Sequence, residues 1–307
     1  MRALMIGIPA SAAAFGAGQA LAAPAPATLQ ITPHSERVAY GRDLVVTGSE
    51  PAADAGHTLA LQFASRGATA WTDVGATTVG TGGRFRLTAV LKRSGVVRAV
   101  DTSSGPLTAL VAGSGPGATA LTSSAVPVDV AAAVRLRSRR IAVLAGQTVQ
   151  VRGRLLPALG GRKVALQALQ NGAWHTLARA RTRAAGAFVL RYTTGRAGRA
   201  PIRVRFSGDQ LNGRSTAPAG QITVYRLAGA SWYNDGGNTA CGFHATYGVA
   251  NRTLPCGTTV SFRYNGRSVT ATVDDRGPYV GGRDWDLNQN TAAALGFGGV
   301  GVVWSSQ

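Results

Sequence analysis

Three carboxyl groups near the C-terminus raise the first question of chemistry. Asp274 and Asp275 lie in Val273-Asp274-Asp275-Arg276-Gly277-Pro278, and Asp286 follows in Asp284-Trp285-Asp286-Leu287-Asn288. Carboxyl groups give and take protons, and a pair set across a glycosidic bond equips a sugar hydrolase. Their placement follows from the elements around them. Val260 to Val273 predicts a β-hairpin about Asn265-Gly266, a dipeptide that favours a tight primed turn. On the returning strand Val269, Ala271 and Val273 share one face, and Asp275 keeps their parity while Asp274 points the other way. Asp275 is thus expected at the end of a core strand, facing a groove, and Asp274 as a solvated surface charge. Bland roles stay open for both candidates. Asp275 can cap the turn by bonding the backbone of Arg276-Gly277. Asp286 can cap the short helix expected from Asn288 to Leu295, which Gly296 ends.

Other chemistries are poorly provided for. The sequence contains no Gly-x-Ser-x-Gly, His-Glu-x-x-His or Walker loop. Its two cysteines, Cys241 and Cys256, lack the His or further Cys that a zinc set needs, so neither a metal nor a cofactor is expected. An even count in an exported chain suggests a disulfide, with two buried thiols as the alternative. Export is read from the N-terminus: Arg2, a mostly small and apolar stretch from Ala3 to Phe15, and Ala20-Leu21-Ala22 at an A-x-A cleavage position. Residues 1–22 are therefore expected to be a signal peptide. Pro9, Ser11 and several glycines make this stretch a poor membrane anchor, and no other segment has the ~20 apolar residues of a span.

The middle of the chain is a repeat. Gly41-Arg42-Asp43-Leu44-Val45-Val46-Thr47-Gly48 parallels Gly146-Gln147-Thr148-Val149-Gln150-Val151-Arg152-Gly153. Leu59-Ala60-Leu61-Gln62 parallels Val164-Ala165-Leu166-Gln167, Trp71 parallels Trp174, and Gly83-Arg84-Phe85 parallels Gly186-Ala187-Phe188. Short alternating strands between glycine-rich turns predict two tandem immunoglobulin-like β-sandwiches, residues 23–130 and 131–227. Gly113 to Ser124 reads as a long loop of the first. The chain carries 32 Lys and Arg against 13 Asp and Glu, a net of +19. Almost all of the excess lies from Ala131 to Leu227, where seventeen Arg and one Lys face a single acid, Asp209. Arg135, Arg137, Arg139 and Arg179, Arg181, Arg183 recur at spacing two, which sets each group on one strand face. Such a stripe attracts polyanions, although arginine can also simply fill solvated faces. In an exported protein anionic wall polymers are nearer partners than nucleic acid.

Residues 228–307 carry four linked blocks: Ser231-Trp232-Tyr233, Asn251-Arg252-Thr253-Leu254-Pro255-Cys256-Gly257-Thr258, Val273 to Val280, and Gly282 to Asn288. Their order resembles the double-psi β-barrel of the rare lipoprotein A (RlpA) family, which acts on bacterial cell-wall glycan. The resemblance implies a six-stranded double-psi barrel, which with the two sandwiches read from the repeat makes the expected chain all-β. It also implies a role for Asp275, the family's proposed acid/base, with Asp286 and Asn251 in support. One carboxyl group can protonate the leaving oxygen of a muramic acid linkage. It then takes the proton of the muramic 6-hydroxyl as a 1,6-anhydro ring closes. Trp232, Tyr233, Tyr279 and Trp285 could stack on sugar faces, or pack a core, and Arg276 belongs to the same expected substrate site. The departure is Asn251, where the family block usually reads Ala-His-Arg-Thr-Leu-Pro. Asn holds hydrogen bonds but cannot relay a proton. His244 could substitute in space or be a solvated loop residue.

The leading expectation is a secreted cell-wall protein that cleaves peptidoglycan strands as a lytic transglycosylase, free of the membrane after signal cleavage and without nucleic acid as a partner. No cysteine follows the signal to carry lipid. The alternative is a non-catalytic, expansin-like glycan binder, since Ala240-Cys241-Gly242-Phe243 is similar to a block of that barrel class. A third reading makes the arginine-rich sandwich an adhesin. The sandwiches are expected to supply wall targeting in place of a separate glycan-binding domain.

Overall fold

The computed structural model describes residues 28–103, 121–137, 139–234 and 236–307. The expected signal peptide, and most of the loop expected from Gly113 to Ser124, lie outside the described residues. The chain is all-β. Its first unit comprises β1 (Gln30–Pro33), β2 (Arg37–Ala39), β3 (Asp43–Ser49), β4 (Thr58–Ser65), β5 (Thr72–Thr78), β6 (Arg84–Val90), β7 (Gly95–Asp101) and β8 (Val126–Ala131). β1-β3-β6 face β2-β8-β7-β4-β5 across a core of Leu44, Val46, Leu59, Leu61, Leu87, Val97 and Val130. The strand period of two is plain in β6, where Phe85, Leu87 and Ala89 are buried between exposed neighbours.

The second unit repeats this plan with β9 (Ala133–Leu136), β10 (Arg139–Leu144), β11 (Thr148–Leu156), β12 (Lys163–Gln170), β13 (Ala173–Arg181), β14 (Ala187–Thr193), β15 (Gly198–Phe206) and β16 (Ser215–Tyr233). The repeated residues hold equivalent places. Gly48 lies opposite Phe85 and Gly153 opposite Phe188, and in each pair the phenyl ring covers the glycine so closely that a Cβ would collide with it. Arg98 stacks over Trp71 and bonds Gln62 at 2.9 Å; Arg203 stacks over Trp174 and bonds Gln167 at 2.9 Å. These cation–π clusters explain why Gln and Trp recur together.

The sole acid of the second unit, Asp209, forms a two-pronged bond with the buried Arg162, at 2.8 and 3.1 Å. Burial pulls the Asp209 carboxyl upward, but Arg162 and the N–H groups of Asn212 and Leu211 outweigh it and hold the group below its ordinary range. The unit's other cations share no acid within it. Arg154 stands directly opposite Arg135, and with Arg137, Arg139 and Arg152 they line one groove. Like charges placed across strands repel, so this face is costly unless an anion covers it.

β16 runs for 19 residues through two domains. Its first part pairs with β15 and β10, and its last part with the strands that follow. The expected border at 227/228 thus falls inside a continuous strand, not in a linker. β17 (Gly248–Ala250), β18 (Thr259–Tyr264), β19 (Arg267–Asp275), β20 (Trp285–Asn288), α1 (Gln289–Leu295) and β21 (Gly301–Ser305) complete the chain. The order β16-β20-β17-β19-β18-β21 closes through the β21–β16 pairing into a six-stranded barrel. Its core is Ala230, Val249, Val260, Phe262, Ala271, Val273, Leu287 and Val303, with Leu295 of α1 sealing one side.

Candidate active site at the barrel mouth

The predicted hairpin forms as β18 and β19, and both turn residues, Asn265 and Gly266, adopt positive φ. At the far end of β19 the alternation breaks. Val249 pairs with Val273, but Ala250 pairs with Asp275, so Asp274 is an extra residue in a β-bulge. The bulge turns Asp274 inward, contrary to the surface position expected from parity. It is fully buried (0% exposed), and its carboxylate accepts the N–H groups of Ala245 at 2.8 Å and Val249 at 3.0 Å. Its carbonyl accepts Cys241 N–H at 3.2 Å. Gly248 is required beside it, because a Cβ there would strike the Asp274 carboxylate. Asp274 is therefore the internal post on which the loops of the mouth are hung.

Asp275 is half-buried at the rim. Its Oδ1 accepts two backbone N–H groups, from Ala240 and Arg276, each at 2.8 Å. The expected turn bond to Arg276 is thus present, and it uses only one oxygen. Among the described residues Oδ2 has no hydrogen-bond partner. Ala250 of β17 lies between Asp275 of β19 and Asp286 of β20. Two strand spacings put their backbones roughly 10 Å apart. Asp286 accepts a bond from Ser231 Oγ at 2.7 Å, and the helix cap expected of it falls to Asn288, whose side chain accepts Thr291 N–H.

Asn251 joins the backbone at Asp275 to the loop that leads into β20. Its N–H donates to the Asp275 carbonyl at 3.1 Å, and its Nδ2 donates to the Asp284 carbonyl at 3.2 Å. Its Oδ1 accepts Thr253 N–H at 3.1 Å and Leu254 N–H at 2.8 Å. Asn251 thus shapes the loop and does not offer its carbonyl oxygen to a ligand. Arg276, expected to bind substrate, points back into the protein. Its Nη1 holds the carbonyls of Asn251 and Leu254, and its Nη2 meets Cys256 Sγ at 3.1 Å. Arg252, which sequence reasoning missed, does the same for the carbonyls of Pro278 and Arg283. An arginine in the loop between β17 and β18 leaves no sequence signal for such a clamp.

The aromatic candidates divide by exposure. Tyr279 is 80% exposed and Trp232 45% exposed, so their ring faces are open to a ligand. Tyr233 is half-buried. Trp285 is 1% exposed and packs edge-on against Phe262 at 5.1 Å, so it serves the core and offers no surface to a sugar. His244 is exposed and lines an open groove with Asn238, Thr246 and Gln289, not the bonds of Asp275.

Cys241 and Cys256 form a disulfide with Cα atoms 5.8 Å apart. It ties the loop bonded to Asp274 and Asp275 to the loop held by Arg276. Replacing both cysteines by serine is expected to cost the barrel about 3 kcal/mol, the loop-closure value for a 15-residue separation. Urea denaturation measures this; an unchanged midpoint contradicts it.

These features match known proteins. A family profile described as "Lytic transglycolase" matches residues 227–304. A Synechocystis sp. protein named "Probable endolytic peptidoglycan transglycosylase RlpA" is 41% identical over 90 residues, covering 26% of this chain and 28% of that one. An Aquifex aeolicus protein of the same name is 43% identical over 82 residues, covering 24% and 36%. A Treponema pallidum protein of that name is 41% identical over 59 residues, covering 19% of each. The chain spans about a third or less of the length of these relatives. The C-terminal domain is an RlpA-like double-psi β-barrel.

Proposed function

We propose that the barrel cleaves peptidoglycan glycan strands as a lytic transglycosylase outside the cell, with Asp275 as the proton-transferring group. The observation that carries this is the Asp275 carboxyl group, with Oδ1 fixed by two N–H groups and Oδ2 without a hydrogen-bond partner among the described residues, in a barrel that also exposes Tyr279 and Trp232. In the proposed cycle Asp275 protonates the departing glycosidic oxygen as the C1–O bond breaks. The muramic 6-oxygen then bonds C1, its proton passes to Asp275, and the 1,6-anhydro ring leaves the carboxyl group as it began. No water is consumed. Ser231 orients Asp286, whose charge favours the oxocarbenium-like centre. Asn251 and Arg276 position the rim without touching sugar. Incubating the protein with purified walls should release soluble glycan fragments; walls that stay intact beside an active control enzyme contradict the proposal.

A second reading is a glycan-binding barrel without catalysis. It is favoured by Asn251, whose side chain is committed to backbone groups and supplies no proton relay. Binding without any fragment release would select it.

The arginine groove supports a further part of the proposal, attachment to anionic wall polymers. Attraction between exposed charges weakens as salt shortens the screening length from about 10 Å at 0.1 M to about 3 Å at 1 M. The full chain should therefore leave purified walls as salt rises. The triple variant Arg135→Glu, Arg152→Glu, Arg154→Glu should bind less and show a flatter salt response. Co-sedimentation reads both, and equal binding by variant and wild type rejects an electrostatic anchor. The full chain is needed, because a cut at residue 227 would sever β16.

A further inference from the structure

The repeat offers an internal control on one end of the first sandwich. Glu50 follows β3, and Gly83 packs on its carbonyl just as Gly186 packs on the carbonyl of Leu155. The His57 carbonyl accepts Val79 N–H while Gly56 N–H donates to the Val79 carbonyl, and Arg162, Thr182 and Gly161 repeat this pattern. Asp101 pairs with Leu59 as Phe206 pairs with Val164. Glu50, His57 and Asp101 therefore occupy the places that Leu155, Arg162 and Phe206 fill in the second unit. There the solution is a leucine and a phenylalanine, both buried, with Arg162 stacked over Phe206 and neutralised by Asp209. In the first unit all three positions carry metal-ligating types instead.

Their geometry converges. The three side chains offer ligand atoms that all lie within 4.8 Å of one another. His57 Nδ1 stands 2.9 Å from Asp101 Oδ2. Glu50 is 6% exposed, and neither of its carboxyl oxygens, both buried, has a hydrogen-bond partner among the described residues. Two buried oxygens without partners, one of them within 4.8 Å of a His–Asp pair, ask for a cation, since burying a carboxylate unpaired is strongly unfavourable. A metal ion answers that need.

We propose that Glu50, His57 and Asp101 form a divalent-metal site of the zinc class in the first sandwich. One imidazole with two carboxylates selects zinc or a similar first-row ion over calcium and magnesium, which prefer all-oxygen shells. Two ligand atoms about 2.1 Å from one ion lie at most about 4.2 Å apart, so only a small inward turn of the side chains completes the set. The His57 side chain is 36% exposed, which leaves one side of the ion open to water or an exogenous ligand. The site lies in a different domain from Asp275, and its role is to fasten the end of the sandwich where β3, β4 and β7 meet.

The test uses the full chain, stripped with chelator, and zinc ion alone. Calorimetric titration should show one zinc per chain, and thermal melts should rise with added zinc but much less with calcium or magnesium. His57→Gln should weaken zinc binding at least about tenfold. Glu50→Leu installs the residue of the second unit, so it should fold, melt higher than metal-free wild type, and lose the zinc response. Zinc binding that survives both substitutions, no binding at one equivalent, or a preference for calcium overturns the proposal. None of these readouts depends on glycan cleavage.

Discussion

Asp275→Asn is expected to abolish release of glycan fragments while leaving the fold and wall binding intact. The amide can still accept the N–H groups of Ala240 and Arg276 through its oxygen, so the rim keeps its shape. What it loses is the capacity to give and retake a proton at the position of Oδ2. General acid–base catalysis is typically worth ~10²–10⁴-fold, so the fall should exceed a hundredfold in rate. A variant with wild-type rate would remove Asp275 from the chemistry and with it the proposed mechanism. A variant that no longer binds walls would place Asp275 in recognition instead.

Asp274→Ala should act on a different link, the stability of the barrel itself. Removing this carboxylate orphans the N–H groups of buried Val249 and part-buried Ala245 and leaves a cavity beside Gly248. Each unsatisfied buried group costs about 1–3 kcal/mol, so the expected loss is about 3–5 kcal/mol. A domain with ~5–15 kcal/mol in total is then close to unfolding. Asp274→Asn keeps one acceptor oxygen and should cost less. Because Trp285 lies in the barrel core, tryptophan fluorescence through a denaturant series reports this domain once Trp71 and Trp174 of the sandwiches are replaced by phenylalanine. A change below about 1 kcal/mol for the alanine variant contradicts the assigned role. The two aspartates should therefore separate cleanly, one variant folded and inactive, the other unstable.

That separation was not legible in the sequence. The hairpin was, because Asn265-Gly266 demands positive φ at both residues and thereby fixes the register of β18 and β19. The end of α1 was too, since Gly296 takes the left-handed conformation at φ 64°. Alternation then placed Asp275 at the rim but sent Asp274 outward, because a bulge adds one residue and no residue type announces it. Trp285 was ambiguous for a related reason. A large ring beside a polar block can face sugar or core, and only its packing on Phe262 decides. The repeat was read from Gly, Gln and Trp, yet its arginines, Arg98 and Arg203, lie far along the chain from the tryptophans they cover. Glu50, His57 and Asp101 were hidden for the same reason: His57 and Asp101 are 44 residues apart, and only the sheet brings them together. Asn251 shows a further limit. Its type ruled out proton relay, but its use as a loop former required the bonds to Thr253, Leu254 and Asp284.

The chemistry of the released ends is the most direct test of the proposed function. Purified peptidoglycan strands are incubated with the full chain, and the soluble products are resolved by mass spectrometry. A lytic transglycosylase leaves 1,6-anhydro-muramic ends, lighter by one water than the reducing ends of a hydrolase, and they should vanish with Asp275→Asn. Reducing ends would show that water is the nucleophile and would contradict the transglycosylase mechanism. Strands recovered uncut, though bound, would contradict the account and leave a barrel that holds glycan without cleaving it.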